Sequence, residues 1–338
     1  MLFLKYRHNA VKDQEIDLLL MQLLYYVAGN SGDSPMARRH SATTAFKTFS
    51  YYMKFLKPLL LIIILILAAY GLFLGFPRTS NENADQKPTV AATLFPLYDI
   101  VKNVAGDQIN VVLILPPGAS PHTFEPTPTI LREMKNAQTV FMIGHGIDDW
   151  AKDLVDDSNK ILIVDNGITL RPDDPHYFLT GKNAIRISQN IAESLKSTFP
   201  EFANTITENQ KLYQVELEKM DEQIKIELAN VKNRELITFH DAWYYFAEAY
   251  GLNIAGTFEP TVGREPTPQY LAELSEKIKE TGVKVLYAEP QFSTRGIDSF
   301  LSDYNISIAT IDPEGGGEQS TSFINLMLSN ARTISQNQ

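Results

Sequence analysis

Short apolar, β-branched runs at 89–93, 111–115, 139–143 and 161–164 each give way to a loop and then to a helical pattern. Runs at 236–239, 254–258, 283–288 and 307–311 repeat that rhythm further along the chain. Strands alternating with helices predict mostly parallel sheets flanked by helices, hence an α/β fold of two lobes. Between the two series the apolar residues Ile206, Tyr213, Leu217, Met220, Ile224 and Leu228 step by 7, 4, 3, 4 and 4, which keeps them on one stripe of a helix. Pro200 suits its first turn and Asn230 an end near Val231. Such a helix would be ~42 Å long and would join the lobes as a rigid strut rather than a flexible hinge.

A different pattern precedes the first strand. From Pro58 to Phe76 the chain runs without a charge, a length of ~28 Å as a helix and about the thickness of a bilayer's hydrocarbon. Lys47, Lys54 and Lys57 lie before it, and Glu82 and Asp85 after it, so the positive-inside rule puts the C-terminal bulk outside the cytoplasm. No small-x-small cleavage site stands before Arg78, which favours an uncleaved transmembrane anchor over a signal peptide. A start at Met53 would make a conventional basic, then apolar, leader. The expected layout is residues 1–52 of unclear role, 53–78 as membrane anchor or signal segment, and 79–88 as a polar linker. Residues 89–199 would form the first lobe, 200–231 the connecting helix, and 232–335 the second lobe.

At 338 residues the chain is longer than one ordinary domain, and its 44% hydrophobic content suffices for two cores. A net charge of −10 argues against nucleic acid, which needs a basic surface. The absence of cysteine excludes disulfides, thiolate metal sites and lipid attachment through sulfur, leaving imidazole and carboxylate as strong ligands.

The candidate chemistry therefore rests on six histidines. His8 and His40 have no site-like setting, and His145, between Gly144 and Gly146, reads as a loop residue. His122, His176 and His240 each come after a strand, and Asp312 comes directly after the last one. Ligands of open α/β sheets gather beyond the carboxyl ends of the strands, so these four side chains can share one crevice. Three imidazoles and a carboxylate make a closed tetrahedral set for Zn²⁺, with Zn–N near ~2.0 to 2.1 Å. Any single loop histidine is more often a hydrogen-bonded structural residue; it is the repetition at strand ends that shifts the balance. Glu125, Glu259, Glu265 and Glu289 each sit beside a proline and are read as helix caps or as acceptors that hold an imidazole tautomer. Trp150 and Trp243 are read as core aromatics.

At these residues the chain resembles the zinc and manganese solute-binding proteins of ABC importers, the cluster A-I binding proteins. The resemblance is carried by residues 121–128 around His122, the Gly144 to Trp150 segment and the Asp174, Pro175, His176 run. Phe239, His240, Asp241 and Ala242, followed by Tyr245, Phe246, Tyr250 and Gly251, then Ile311, Asp312 and Pro313 with the glycines 315–317, complete it in the family's order. The resemblance implies one ion at the interface of two lobes, delivered to a membrane permease driven by a cytoplasmic ATPase. It implies His122, His176, His240 and Asp312 as ligands. Manganese members tend to carry a carboxylate where His240 stands, so the likeness is to the zinc type, with a manganese or iron binder of the same family as the alternative. The long histidine-rich loop of many zinc members is missing. A monomer tethered by its N-terminal segment on the periplasmic or cell-surface side is expected. A zinc hydrolase using Glu125 or Glu289 as base is the rival, against which stand the missing HExxH and a fourth ligand that would close the site. A surface adhesion module has no specific feature in its favour.

Overall fold

The computed structural model describes residue 51, residues 62–67, and residues 87–338 except 262, 294–296 and 318–319. It divides into two units, Met1–Asp85 and Gln86–Gln338. In the first, residues 62–67 are helical and Ile62 to Leu67 are exposed. The rest of the apolar run 58–76, on which the anchor expectation falls, lies outside the described residues, as do His8 and His40. Among the described residues no helix is long and apolar enough to cross a membrane.

The second unit is a two-lobed α/β structure. In the first lobe β1 (Thr89–Ala92), β2 (Asn110–Leu113), β3 (Val140–Met142) and β4 (Ile161–Ile163) form a parallel sheet in the order β2-β1-β3-β4. Helices α1 (Phe95–Ala105), α2 (Pro128–Asn136) and α3 (Gly181–Thr198) connect and cover it. The 26-residue helix α4 (Ala203–Leu228) comes next. The second lobe repeats the first: β5 (Glu235–His240), α5 (Tyr244–Tyr250), β6 (Asn253–Glu259), α6 (Pro268–Thr281), β7 (Val285–Ala288), α7 (Asp298–Tyr304), β8 (Ser307–Thr310) and α8 (Phe323–Asn337). Its strands are parallel in the order β6-β5-β7-β8.

Central strands of such sheets are covered on both faces, so they need unbroken rather than alternating apolar runs. Val140, Phe141 and Met142 of β3 are fully buried, and all four residues of β7 are buried. Threonine and proline set the helix starts. Thr127 and Thr267 accept from the third residue beyond them, and Pro128 and Pro268 occupy the first helical position, where no N–H is needed. In each sheet the first strand sits between the second and third, so the connections leave it in opposite directions and open a crevice at the carboxyl ends. Asp148 braces that crevice in the first lobe. Its carboxylate accepts from Thr93 Oγ1 (2.5 Å) beyond β1 and from the Ile143 and Gly144 N–H groups (2.8 and 2.7 Å) beyond β3.

The stripe on α4 is buried at all six of its positions, in a cluster that takes in side chains of both lobes. The helix departs from expectation at its ends. Residues Pro200–Phe202 form a separate 3₁₀ turn, and α4 begins at Ala203 and stops at Leu228. The break falls at Phe202, whose backbone angles (φ −100°, ψ 6°) leave the α region. Asp99 on α1 ties the first lobe to α4 and α8. Its carboxylate accepts from the Phe323 N–H at the start of α8 (3.0 Å) and from Tyr213 Oη on α4 (3.4 Å).

Candidate metal centre

Three of the four expected side chains converge. His122 lies in the 3₁₀ turn Pro121–Thr123 after β2, His176 in the loop after β4, and His240 closes β5. Their ring centroids are 5.7 Å (122 to 176), 5.5 Å (122 to 240) and 5.1 Å (176 to 240) apart. One nitrogen from each ring lies within 4.8 Å of the others. The loop carrying His122 holds prolines at 116, 117, 121 and 126, each fixing φ near −65°, which stiffens it without a sheet or long helix.

Two of the imidazoles are held by carboxylates. Asp174, which follows the left-handed Asp173 (φ 58°), accepts the His176 backbone N–H at 3.0 Å and meets its Nδ1 at 3.1 Å. Glu289, the residue after β7, meets His240 Nδ1 at 2.5 Å through one oxygen and accepts Trp243 Nε1–H at 2.8 Å through the other. A carboxylate on Nδ1 assigns the proton to that nitrogen and leaves the Nε2 lone pair free, the arrangement that a metal ligand requires. The Nε2 atoms of His176 and His240 are both buried and find no hydrogen-bond partner among the described residues. Leaving such atoms unpaired costs stability unless something else occupies the space. Beside His240 is a cavity of ≈ 10 Å³, lined also by His122, Glu289, Gln291, Pro313 and Glu314 among others. That is room for about one water-sized body.

Proton affinity points the same way. His122 is exposed by residue area, but its ring faces the other two imidazoles; loss of hydration, then the neighbouring His176 and His240, lower its pKa to about 3. Burial, with His240 nearby, holds His176 well below 6.5. Both rings are therefore neutral, and able to donate to a cation, at and below neutral pH. The folded pKa of His122 lies under its unfolded value, so between about 3 and 6.5 the unfolded chain binds more protons, and stability falls as pH falls through that window. Metal-free protein should thus lose more stability from pH 6.5 to 4 than metal-free His122→Ala does, as followed by thermal denaturation. Equal slopes would mean that the ring titrates normally.

Asp312 stands outside the imidazole group. Half-buried just beyond β8, its Oδ1 accepts from Gln291 Nε2 (2.7 Å) and the Glu314 N–H (2.9 Å). Glu314 is absent from the residues that the sequence pattern singles out, although an acid between a proline and a run of three glycines just after Asp312 is a usable signal. It is buried on the cavity wall with Oε2 unpartnered among the described residues. Burial first, then Asp312, Glu289 and Asp148, push its carboxyl well above the usual range. Gly315 and Gly316 have φ of 66° and 81°, and a Cβ on either would stand 3.0 or 3.1 Å from the Phe95 ring of α1, so this turn lies close against the first lobe.

The remaining expectations divide. Trp243 is a core aromatic that also holds Glu289, whereas Trp150 is half-buried and packs edge-on to Phe124 at 4.8 Å, beside the His122 turn. Glu125 and Glu265 are exposed, and Glu259 accepts the Gly263 N–H. His145 pairs with Asp165 at 2.8 Å and is outside the cluster.

Two α/β lobes meeting at clustered imidazoles, their carboxylate-locked rings turning free nitrogens inward, define a solute-binding protein whose solute is a metal ion. The family model for the zinc-uptake complex component A, periplasmic, matches residues 90–337, and the chain belongs to that family. Its members are substrate-binding components of ABC transporters, not enzymes, which removes the hydrolase reading. The manganese ABC transporter substrate-binding lipoprotein PsaA of Streptococcus pneumoniae is 28% identical over 291 residues, 79% of this chain and 94% of that protein. The zinc-binding lipoprotein AdcA of Streptococcus pneumoniae is 25% identical over 286 residues, 76% of this chain and 57% of that protein. A crystal structure of ZnuA aligns with a TM-score of 0.66 at 25% identity, over 75% of this chain and 99% of that one. The chain is thus an extracytoplasmic, metal-binding component of an ABC transporter, similar to relatives named for different metals. Those two streptococcal relatives are lipoproteins, whereas this sequence has no cysteine.

Proposed function

We propose that this component captures a single Zn²⁺ with His122, His176, His240 and Asp312 and passes it to the transporter's permease, which a cytoplasmic ATPase drives. The observation that carries the reading is the pair of buried, unpartnered Nε2 atoms on rings whose Nδ1 atoms carboxylates already occupy. Asp312 supplies the fourth donor, on the ground that Pro313 and Glu314 beside it line the cavity. An imidazole-rich set favours zinc, since manganese prefers oxygen ligands and water. His122, the exposed member, meets the incoming ion first, and the locked pair completes the site. The apolar run 58–76 tethers the protein to the membrane in place of a lipid.

Metal choice tests this reading. In competition titrations the full-length chain should bind Zn²⁺ more tightly than Mn²⁺. His240→Glu should raise manganese affinity relative to zinc, provided that Glu289→Gln accompanies it, because Glu289 is in contact with the present His240 ring and two neighbouring carboxylates there would not both ionise. A wild-type preference for manganese, or a ratio unmoved by the double change, would contradict the zinc reading.

A further inference from the structure

Helix α5 begins four residues after His240 and sends two tyrosine hydroxyls to the backbone of the opposite lobe. Tyr245 Oη accepts the Arg171 N–H at 2.6 Å, and Tyr250 Oη accepts the Gly181 N–H at 3.2 Å. Residues 171 and 181 bracket the segment that carries Asp174 and His176. Both tyrosines are 6% exposed. Tyr250 also donates to Asp221 Oδ1 on α4 at 2.9 Å, so one hydroxyl joins α3, α4 and α5. Gly181 permits that junction: a Cβ there would stand 2.5 Å from the Asp221 Cβ, too close for any real contact. At the other end of the segment the Arg171 guanidinium lies over the Tyr244 ring at 4.8 Å.

The segment holding His176 is therefore pinned at both ends to the helix that comes after His240. We infer that Tyr245 and Tyr250 are positioning residues for the metal, their hydroxyls holding His176 in register with His240 across the lobe boundary. This rests on the metal-capture reading above. Neither hydroxyl touches the ion; each fixes a backbone N–H, and the backbone fixes the ring. Their loss lets His176 drift from the geometry that three imidazoles need, which speeds the release of the ion.

The test is the rate at which a chromophoric chelator in excess strips Zn²⁺ from the full-length chain. Tyr245→Phe/Tyr250→Phe keeps both rings in the core and removes only the hydroxyls. Zinc release should accelerate about tenfold, in the range found when supports of metal ligands are removed. The matched control is Tyr270→Phe, which deletes a hydroxyl bonded at 2.5 Å to the Thr257 carbonyl within the second lobe, and which should leave the rate as it is. If the double variant does not fold, Tyr245→Phe alone should show a smaller acceleration in the same direction. Release no faster than wild type, or a similar acceleration in Tyr270→Phe, would overturn the inference while leaving the metal reading intact. A wild-type chain that takes up no zinc would defeat that reading, and the inference with it.

Discussion

Replacing His176 or His240 with alanine is expected to lower zinc affinity by on the order of 100- to 1,000-fold, one ligand's share of the roughly 10–16 kcal/mol that a four-ligand zinc site supplies. Each of these rings presents a buried Nε2 with no other partner among the described residues, so no nearby nitrogen replaces the one removed. His145→Ala is the internal comparison. That ring is exposed and committed to Asp165, and its removal should leave affinity unchanged. Competition titration against a zinc chelator measures all three variants. A loss of less than tenfold at both His176 and His240, or an equal loss at His145, would show that the cluster is not where zinc binds.

Glu289→Ala should lower two quantities at once, stability and zinc affinity. The side chain is wholly enclosed, with one oxygen on His240 and the other on Trp243. Its removal leaves a buried imidazole N–H and a buried indole N–H unpaired, which should cost about 2–6 kcal/mol of stability at ~1–3 kcal/mol for each orphaned donor. It also frees the His240 ring to rotate and to change tautomer, for which a loss of ~10 to 100-fold in metal affinity is typical. Asp312→Ala should lose more zinc affinity than Glu289→Ala, because it removes a donor rather than a support. Denaturant unfolding and zinc titration on the same samples separate the two. A larger affinity loss for Glu289→Ala in folded protein would make Glu289 the ligand and Asp312 the support.

Fold and site are legible in the sequence where local periodicity carries information, and obscure where they depend on the path of a loop. The runs that form β1 to β8 are readable because buried parallel strands are short, apolar and β-branched. The stripe on α4 is readable because six residues at helical spacing can bury only one face. Histidines placed after strands can be brought together on paper, since the sheet fixes where strand ends lie. Glu289 cannot be assigned in that way. Its partners His240 and Trp243 are 49 and 46 residues away, and a carboxylate beside a proline looks the same whether it caps a helix, binds an ion or holds a ring. Trp243 is legible only by half, since its ring reads as core while its N–H leaves no mark. Tyr245 and Tyr250 are marked in the sequence only by the family likeness after His240, and their bonds are not marked at all, because a hydroxyl that bonds a distant backbone N–H leaves no periodic trace. Glu314 is hidden by its position in an irregular turn, where burial depends on the packing of Gly315 and Gly316 on Phe95.

The central claim, that the crevice between the lobes holds one zinc ion on clustered imidazoles, is tested most directly by native mass spectrometry with elemental analysis. The samples are the full-length chain and its His176→Ala/His240→Ala variant, each exposed to equal zinc and manganese at neutral pH. The expected result is a single chain carrying one zinc in the wild type and none in the variant. A wild-type chain carrying manganese or no metal, or a variant that retains its zinc, would contradict it.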